Sequence, residues 1–204
     1  MYTFIIPKIK DDNMKNSLKI VAFAFLATMI VGCNDSSNST TTDLVKTGTF
    51  VDSPVKGLSY ATATQSGFTD ASGHFKYKSG EEIEFKLGTL SLGKVKAEAL
   101  VTPYIVSGDN NTTATNIALL LQNFDANRSN TSMLDVSKIQ NTGVYDLSYI
   151  DLNWTTAAME TEITGLLATG GFQAYVDDAN TSLINATSVK AKMDNALTQY
   201  SSAK

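Results

Sequence analysis

Apolar residues recur at every second position between residues 47 and 103. In the clearest stretch Ile83, Phe85 and Leu87 alternate with charged residues, and Phe75 and Tyr77 alternate with polar ones. This period of two predicts half-buried antiparallel strands, each with one face toward solvent. Glycines and short Asp/Ser segments separate these stretches as turn signals. Short, evenly punctuated strands predict a small antiparallel β-sandwich or barrel-like module.

The second half of the chain changes to a helical period, with apolar residues on one face of each segment. The three segments are residues 112–124, 155–168 and 188–201. Thr112 or Thr113 is the predicted N-cap of the first helix, and Asn153 is that of the second. None of the three has a basic face, so we expect them to pack on the β module. The predicted fold class is therefore α+β.

The chain begins with the layout of an export signal. Lys15 and Lys19 precede an uncharged apolar run over residues 20–32, and this order of charge and apolar core is typical of a secretory leader. The run is shorter than the ~20 residues that a membrane-spanning helix needs. Asp11 and Asp12 are unusual ahead of such a run, so we expect translation to start at Met14.

The end of the apolar run resembles the lipobox of bacterial lipoproteins. It reads Ile30-Val31-Gly32-Cys33, and Cys33 is the single cysteine of the chain. The resemblance implies cleavage between Gly32 and Cys33 and acylation of the Cys33 thiol. Each buried methylene of a lipid chain contributes about 0.8 kcal/mol, so two or three chains make a lasting anchor. We therefore expect the protein to bind the membrane through acyl chains on Cys33.

These features divide the chain into four parts. Residues 1–32 are the predicted signal peptide, and residues 33–46 are a lipidated cysteine with a flexible polar tether. Residues 47–104 form the predicted β module, and residues 105–204 the helical portion packed on it. The expected location is the bacterial cell envelope, most consistent with the outer membrane, with its periplasmic and surface faces both left open.

Composition narrows the chemistry. The chain has 204 residues, a formal net charge of −4, one Cys and one His. One cysteine excludes an internal disulfide, and one Cys with one His excludes a zinc site of the usual ligands. The acidic balance argues against a nucleic-acid partner.

The β module carries a second resemblance. The segments Gly48–Tyr60 and Gly67–Tyr77, followed by Gly80-Glu81, are similar to a module of exported bacterial surface proteins and lipoproteins. They are more loosely similar to carboxypeptidase regulatory-like, or transthyretin-like, β-sandwiches. In this pattern Asp70 caps its own turn, Gly73 adopts positive φ and Phe75 points inward. The resemblance implies a fold and no catalytic residue.

Few side chains suggest chemistry. His74 is the only imidazole, and the alternation places it outward at the exit of a turn, so we interpret it as a solvated surface residue. Ser72 and Asp70 lie too close in one turn to form a catalytic triad with it, since a triad needs a buried orienting acid.

A calcium loop is the one metal hypothesis. Asp125, Asn127 and Ser129 place oxygen side chains at positions one, three and five, as calcium loops do. Arg128 inside the loop and Val136 at position twelve depart from that pattern. The alternative is a helix C-terminus followed by a polar loop, and we predict no other cofactor.

Exposed aromatic residues could form a platform for sugars. Trp154 is the single tryptophan, and four tyrosines lie in predicted loops or at element ends; they are Tyr104, Tyr145, Tyr149 and Tyr175. A tryptophan just before a helix is more often a hydrophobic staple against the core.

The function expected from these observations is non-enzymatic: binding, adhesion or a structural spacer role, with an envelope protein or a glycan as partner. One alternative is an envelope enzyme or accessory subunit that acts on glycans through paired carboxylates. Another is an assembly factor that holds a partner protein along a sheet edge.

Overall fold

The structure, a computed structural model, describes residues 44–140, 146–169, 176 and 182–202. These residues belong to one compact unit and form nine strands and five helices, so the α+β class is confirmed. The strands are β1 (Lys46–Phe50), β2 (Val55–Lys56), β3 (Ser59–Ala61), β4 (Ser66–Phe68), β5 (His74–Tyr77), β6 (Glu82–Leu87), β7 (Leu90–Lys96), β8 (Leu100–Val101) and β9 (Leu134–Asp135). The helices are α1 (Pro103–Val106), α2 (Asn111–Asn123), α3 (Ser137–Gln140), α4 (Thr156–Ala168) and α5 (Ala186–Ser202).

Four strands form an antiparallel sheet in the order β4-β3-β6-β7. The pairing sets Tyr60 opposite Phe85. Ile83, Phe85 and Leu87 are fully buried, whereas Lys86 between them is exposed. The period-two prediction is therefore confirmed here, because successive side chains of a strand point to opposite faces of the sheet.

The remaining pairings are partly parallel. Strand β1 lies in the centre of a three-stranded sheet, antiparallel to β5 and parallel to β8. Strands β2 and β9 pair in parallel, with Val55 opposite Leu134. The all-antiparallel module predicted for residues 47–104 is thus corrected at two places. Strand β9 also comes from the helical portion, so the two predicted portions share a sheet.

The core is built around a group of aromatic rings. Phe85 contacts both Phe50 and Phe75 in edge-on geometry, with ring centroids 4.9 and 5.2 Å apart. Tyr60 and Tyr77 flank Phe75 at 6.0 and 5.8 Å. Such offset and edge-on pairs add about 0.5–1.5 kcal/mol each beyond the area they bury. The rings join strands of both larger sheets into one core.

Helix α2 is buried around nearly its whole circumference rather than on one face. Its polar residues Asn116, Gln122 and Asn123 are as buried as its leucines. Asn116 donates hydrogen bonds to the carbonyls of Leu152 and Trp154, at 3.0 and 2.7 Å. Helices α1, α4 and α5 all contact α2. Hydrogen bonds to distant parts of the chain allow these polar residues to be buried.

The helix boundaries agree with the predicted segments, but two caps differ. Asn110 caps α2, its side chain accepting from the backbone N–H groups of Thr112 and Thr113. Thr155 caps α4 by accepting from the N–H of the third helical residue. The predicted caps Thr112 or Thr113, and Asn153, are therefore wrong. Asn153 instead accepts a hydrogen bond from the Thr113 hydroxyl at 3.2 Å.

Candidate functional site

A cavity of about 240 Å³ opens where distant parts of the chain meet. Ser53 lines it from the turn before β2, and Gln122 from the last turn of α2. Asp125 and Arg128 contribute from the loop after α2, and Lys192 from α5. The rest of the wall consists mainly of side-chain amides, hydroxyls and small or aliphatic residues. A concave site with a few convergent polar groups is the usual form of a ligand site.

Asp52 lies behind this wall as a fully buried carboxyl group. The amide nitrogen of Gln122 donates to its two oxygens, at 3.1 and 3.2 Å. Burial raises the pKa of Asp52 well above the ordinary 3.8, although the Gln122 hydrogen bond and the charge of Lys192 lower it in part. Burial disfavours the charged form of an acid. The group is therefore held toward its neutral form.

The hydrogen bonds of Gln122 fix the orientation of its side-chain amide. Its amide nitrogen also donates to the carbonyl oxygen of Val189 at 3.2 Å. Because a carbonyl only accepts, this contact assigns the nitrogen to that side and the oxygen to the other. The Gln122 Oε1 atom is buried and has no hydrogen-bond partner among the described residues. An unsatisfied buried acceptor costs about 1–3 kcal/mol, and this atom belongs to a residue of the cavity wall.

The turn that brings Ser53 to the cavity is strained. Val51 and Pro54 form an isolated antiparallel bridge, and Ser53 between them has φ = +87°. That conformation is normally given to glycine in type II turns and costs a residue with a Cβ about 1–2 kcal/mol. The backbone N–H of Leu134 donates to the carbonyl of Pro54 at 2.9 Å and holds the turn against β9.

The loop after α2 is held by its own carboxylate. Asp125 Oδ1 accepts from the backbone N–H groups of Asn127 and Asp135, at 3.1 and 2.9 Å. Burial raises the pKa of Asp125, against the lowering effect of those bonds. The Arg128 guanidinium donates to the carbonyls of Ser182, at 2.7 Å, and Asn123. Arg128, the only arginine in the chain, is thereby fixed at the cavity.

Lys192 differs from its neighbour Lys190 on the same helix. Lys190 lies 2.8 Å from Asp194 and 3.0 Å from the Tyr104 hydroxyl, a cluster that ties α5 to α1. Lys192 is exposed and makes no salt bridge within the part of the chain that the structure describes. Lys192 lines the cavity, and its charge lowers the pKa of Asp52.

The three residues of the predicted calcium loop differ in their exposure to solvent. Asp125 is buried and its Oδ1 is occupied by backbone donors, whereas Asn127 and Ser129 are exposed. Among the described residues, no group of three or more His, Cys, Asp or Glu side chains is placed to hold a metal ion. Calcium binding by Asp125, Asn127 and Ser129 stays a prediction.

The His74 turn has the geometry expected of it. Asp70 Oδ1 accepts from the backbone N–H groups of Ser72 and His74, both at 2.9 Å. Gly73 has φ = +73°. Partial burial raises the pKa of Asp70, but these hydrogen bonds and His74 outweigh it and lower the pKa. His74 is exposed, with its ring 3.0 Å from Asp70, and the arrangement is a surface turn rather than a triad.

The aromatic residues do not form one platform in the described ranges. Trp154 packs against the core and lines a shallow, open depression beside Glu162. The Tyr149 hydroxyl donates to Glu162 at 2.6 Å, and that of Tyr104 donates to Asp194 on α5. Tyr145 and Tyr175 lie outside the described residues.

Sequence reasoning missed three of the residues that line the cavity, Ser53, Gln122 and Lys192. The one available signal was Gln122, a polar residue directly after the apolar run Ile117–Leu121 of a helix. Cys33, Gly32 and the predicted signal peptide and tether up to residue 43 lie outside the described residues. None of the helices in the described ranges is both long and apolar enough to cross a bilayer.

Neither protein-family models nor curated proteins match the sequence, and no solved structure matches the fold.

Proposed function

We propose that this protein is a lipid-anchored component of the bacterial envelope that binds a small polar ligand without chemical conversion. The observation that carries the binding role is the cavity with Gln122 in its wall. A spacer or adhesin needs no concave site, whereas a cavity lined by convergent charged and amide side chains is the usual form of a ligand site.

A binding role is favoured over a glycan-acting enzyme by the placement of the carboxyl groups. Glycosidases need two carboxyl groups facing each other across the substrate. Asp125 lines the cavity, but Asp52 lies behind Gln122 and is not part of its wall. Asp125 is further committed to backbone donors, so the cavity offers polar contacts rather than an acid–base pair.

Blocking the cavity is expected to abolish ligand retention. Ala196 is a buried residue of the cavity wall on α5, and Ala191 is an exposed residue of the same helix. The full chain and its Ala196→Phe and Ala191→Phe variants are purified in detergent and incubated with an envelope extract. Bound small molecules are then released by denaturation and identified by mass spectrometry. We expect at least one species with wild type and Ala191→Phe, and none with Ala196→Phe.

Two further measurements secure the interpretation. Circular dichroism shows whether Ala196→Phe is folded, and Thr131→Trp blocks the cavity from its exposed side if it is not. Identical small-molecule profiles for wild type and both blocking variants would show that the cavity binds nothing.

The anchoring half of the proposal has its own test. Cells that express the full chain are labelled with radioactive palmitate, and the mature protein is weighed intact. We expect the wild-type protein to carry the label. Relative to the unmodified full chain, its mass should be lower by the mass of the signal peptide and higher by the mass of the acyl groups. Cys33→Ser should remove the label and leave the precursor uncleaved, because only the thiol can take a thioether lipid. A labelled Cys33→Ser protein would contradict the assignment.

A further inference from the structure

We infer that the cavity takes a small monocarboxylate that carries several hydroxyl groups, of the size of a single sugar acid. This inference rests on the proposed binding function and names its ligand class. It follows from the charge of the cavity, from the helix end beside it and from its polar side chains.

The charge of the cavity is opposite to that of the whole chain. Arg128 and Lys192 line it, with Asp125 as the one acid among the described residues of its wall. The carboxyl group of Asp52 behind the wall is held toward its neutral form by burial. The chain as a whole carries a formal −4. A locally positive concave site in an acidic protein favours an anionic ligand, because a recess of one sign concentrates the opposite charge.

The two cations have different roles. Arg128 is committed to the backbone carbonyls of Ser182 and Asn123, so it sets a fixed charge. Lys192 makes no salt bridge within the described residues and can turn its ammonium group toward a ligand. A lysine ammonium is a point charge on a flexible stem. We therefore assign the direct contact with the ligand carboxylate to Lys192.

The adjoining helix end selects for a single charge. Gln122 lies in the last turn of α2 and Asp125 shortly after it, so the cavity faces the carboxyl end of that helix. This end carries a partial negative charge. Phosphate sites are usually formed by the opposite end, where backbone N–H groups point outward. A doubly charged phosphate is thus disfavoured relative to a carboxylate.

The polar side chains of the cavity favour a ligand with hydroxyl groups, and the volume of the cavity limits the size of that ligand. Ser53, Asn195 and Gln199 place hydrogen-bonding side chains around the cavity. Hydroxyl groups on a ligand can replace the water that binds these side chains, whereas the apolar chain of a simple carboxylate displaces that water without replacing its hydrogen bonds. The volume of about 240 Å³ is below the roughly 300–1,000 Å³ of drug-sized sites. One sugar-sized molecule is the appropriate scale.

The test uses four probes on the full chain in detergent, by isothermal titration calorimetry. Gluconate has both the carboxylate and the hydroxyls, hexanoate has only the carboxylate, glucose has only the hydroxyls, and glucose 6-phosphate is a dianion. We expect gluconate to bind at least about tenfold more tightly than each of the others, a difference of about 1.4 kcal/mol. Equal binding of glucose, or preference for the phosphate, would overturn the inference.

Paired lysine variants locate the contact. Lys192→Met keeps the apolar stem and removes the charge, and Lys190→Met does the same on the same helix away from the cavity. We expect Lys192→Met to weaken gluconate binding about tenfold and Lys190→Met to leave it unchanged. Equal losses of gluconate affinity in both variants would contradict a direct contact with Lys192, because they would show that only the overall charge of the helix matters.

The outcomes separate the two proposals. If Ala196→Phe removes an extract ligand but gluconate does not bind, the cavity is a binding site for another class and this inference fails alone. If no extract ligand depends on the cavity and gluconate does not bind, both proposals fail.

Discussion

Asp52→Asn is expected to raise the free energy of unfolding at pH 7, and the gain should vanish near pH 4. Asp52 is fully buried and its pKa is raised above the ordinary 3.8. The unfolded chain ionises this carboxyl freely, whereas the folded chain resists ionisation. Folding is therefore penalised by about 1.4 kcal/mol for each pH unit between the unfolded and folded pKa values. Asparagine keeps an acceptor for Gln122 and has no such penalty.

The direction follows from the sign of the shift. A raised folded-state pKa gives stability that is present below the unfolded pKa and lost as pH rises through the folded pKa. Urea unfolding of wild type and Asp52→Asn at pH 4, 6 and 8 should show the two curves separating as pH increases. An Asp52→Asn protein whose stability falls further below that of wild type as pH rises would show that Asp52 is ionised in the fold.

Asp70→Asn is the matched control because the pKa of Asp70 is lowered. Partial burial opposes this shift, but the hydrogen bonds from His74 and Ser72 outweigh it. Its stabilising contribution is present above the unfolded pKa and lost as pH falls through the folded pKa. Asp70→Asn should therefore reduce stability at neutral pH, the opposite of the change expected at Asp52.

Gly57→Ala is expected to cost about 3 kcal/mol of folding free energy. Gly57 follows β2 with φ = +83°, and an added Cβ would lie 2.5 Å from the backbone nitrogen and Cα of Ser137. Positive φ costs about 1–2 kcal/mol for a residue with a Cβ, and forcing an atom into packed backbone costs about 1–3 kcal/mol more. The midpoint of urea unfolding measures the loss.

Gly80→Ala separates the two contributions. Gly80 has a similar φ of +86°, but a Cβ there would meet nothing within 4 Å. We expect this variant to lose only about 1 kcal/mol. If both variants lose the same amount, close packing of Gly57 against α3 contributes nothing. Gly57→Ala should also weaken ligand retention, since β2 holds the Ser53 turn against β9.

The fold could be predicted where the pattern is local and long. Six residues of β6 alternate cleanly, and the three longer helices have apolar stripes, so both periods were recognised. Strands β8 and β9 have two residues each, too few for any period. Each of them pairs in parallel with a strand that is far away in the sequence. No hairpin turn joins such partners, so no local sequence signal predicts the pairing. The caps were misjudged because Asn110 and Thr112 are both acceptable cap residues and only the geometry distinguishes them.

The candidate site could not be predicted, because its residues are far apart in sequence. Ser53, Gln122 and Lys192 come from a turn and two separate helices. Nothing in the sequence around these residues indicates that they meet in the fold. The positive φ of Ser53 cannot be recognised either, because a serine does not normally adopt it. The raised pKa of Asp52 likewise arises only from burial. The predicted lipid anchor at Cys33 is local in sequence and stays a prediction.

The position of β1 has a mechanical consequence. This strand begins at Lys46, the last residue of the predicted tether, and is bonded on one side to β5 and on the other to β8. A pull from the amino-terminal side would run along β1 and load both rows of hydrogen bonds in shear, all at once rather than one by one. Resistance to forced unfolding depends on the unfolding rate rather than on equilibrium stability. If the chain is anchored as proposed, a pull on the anchor would thus reach the folded body through a strand that is hydrogen-bonded on both sides.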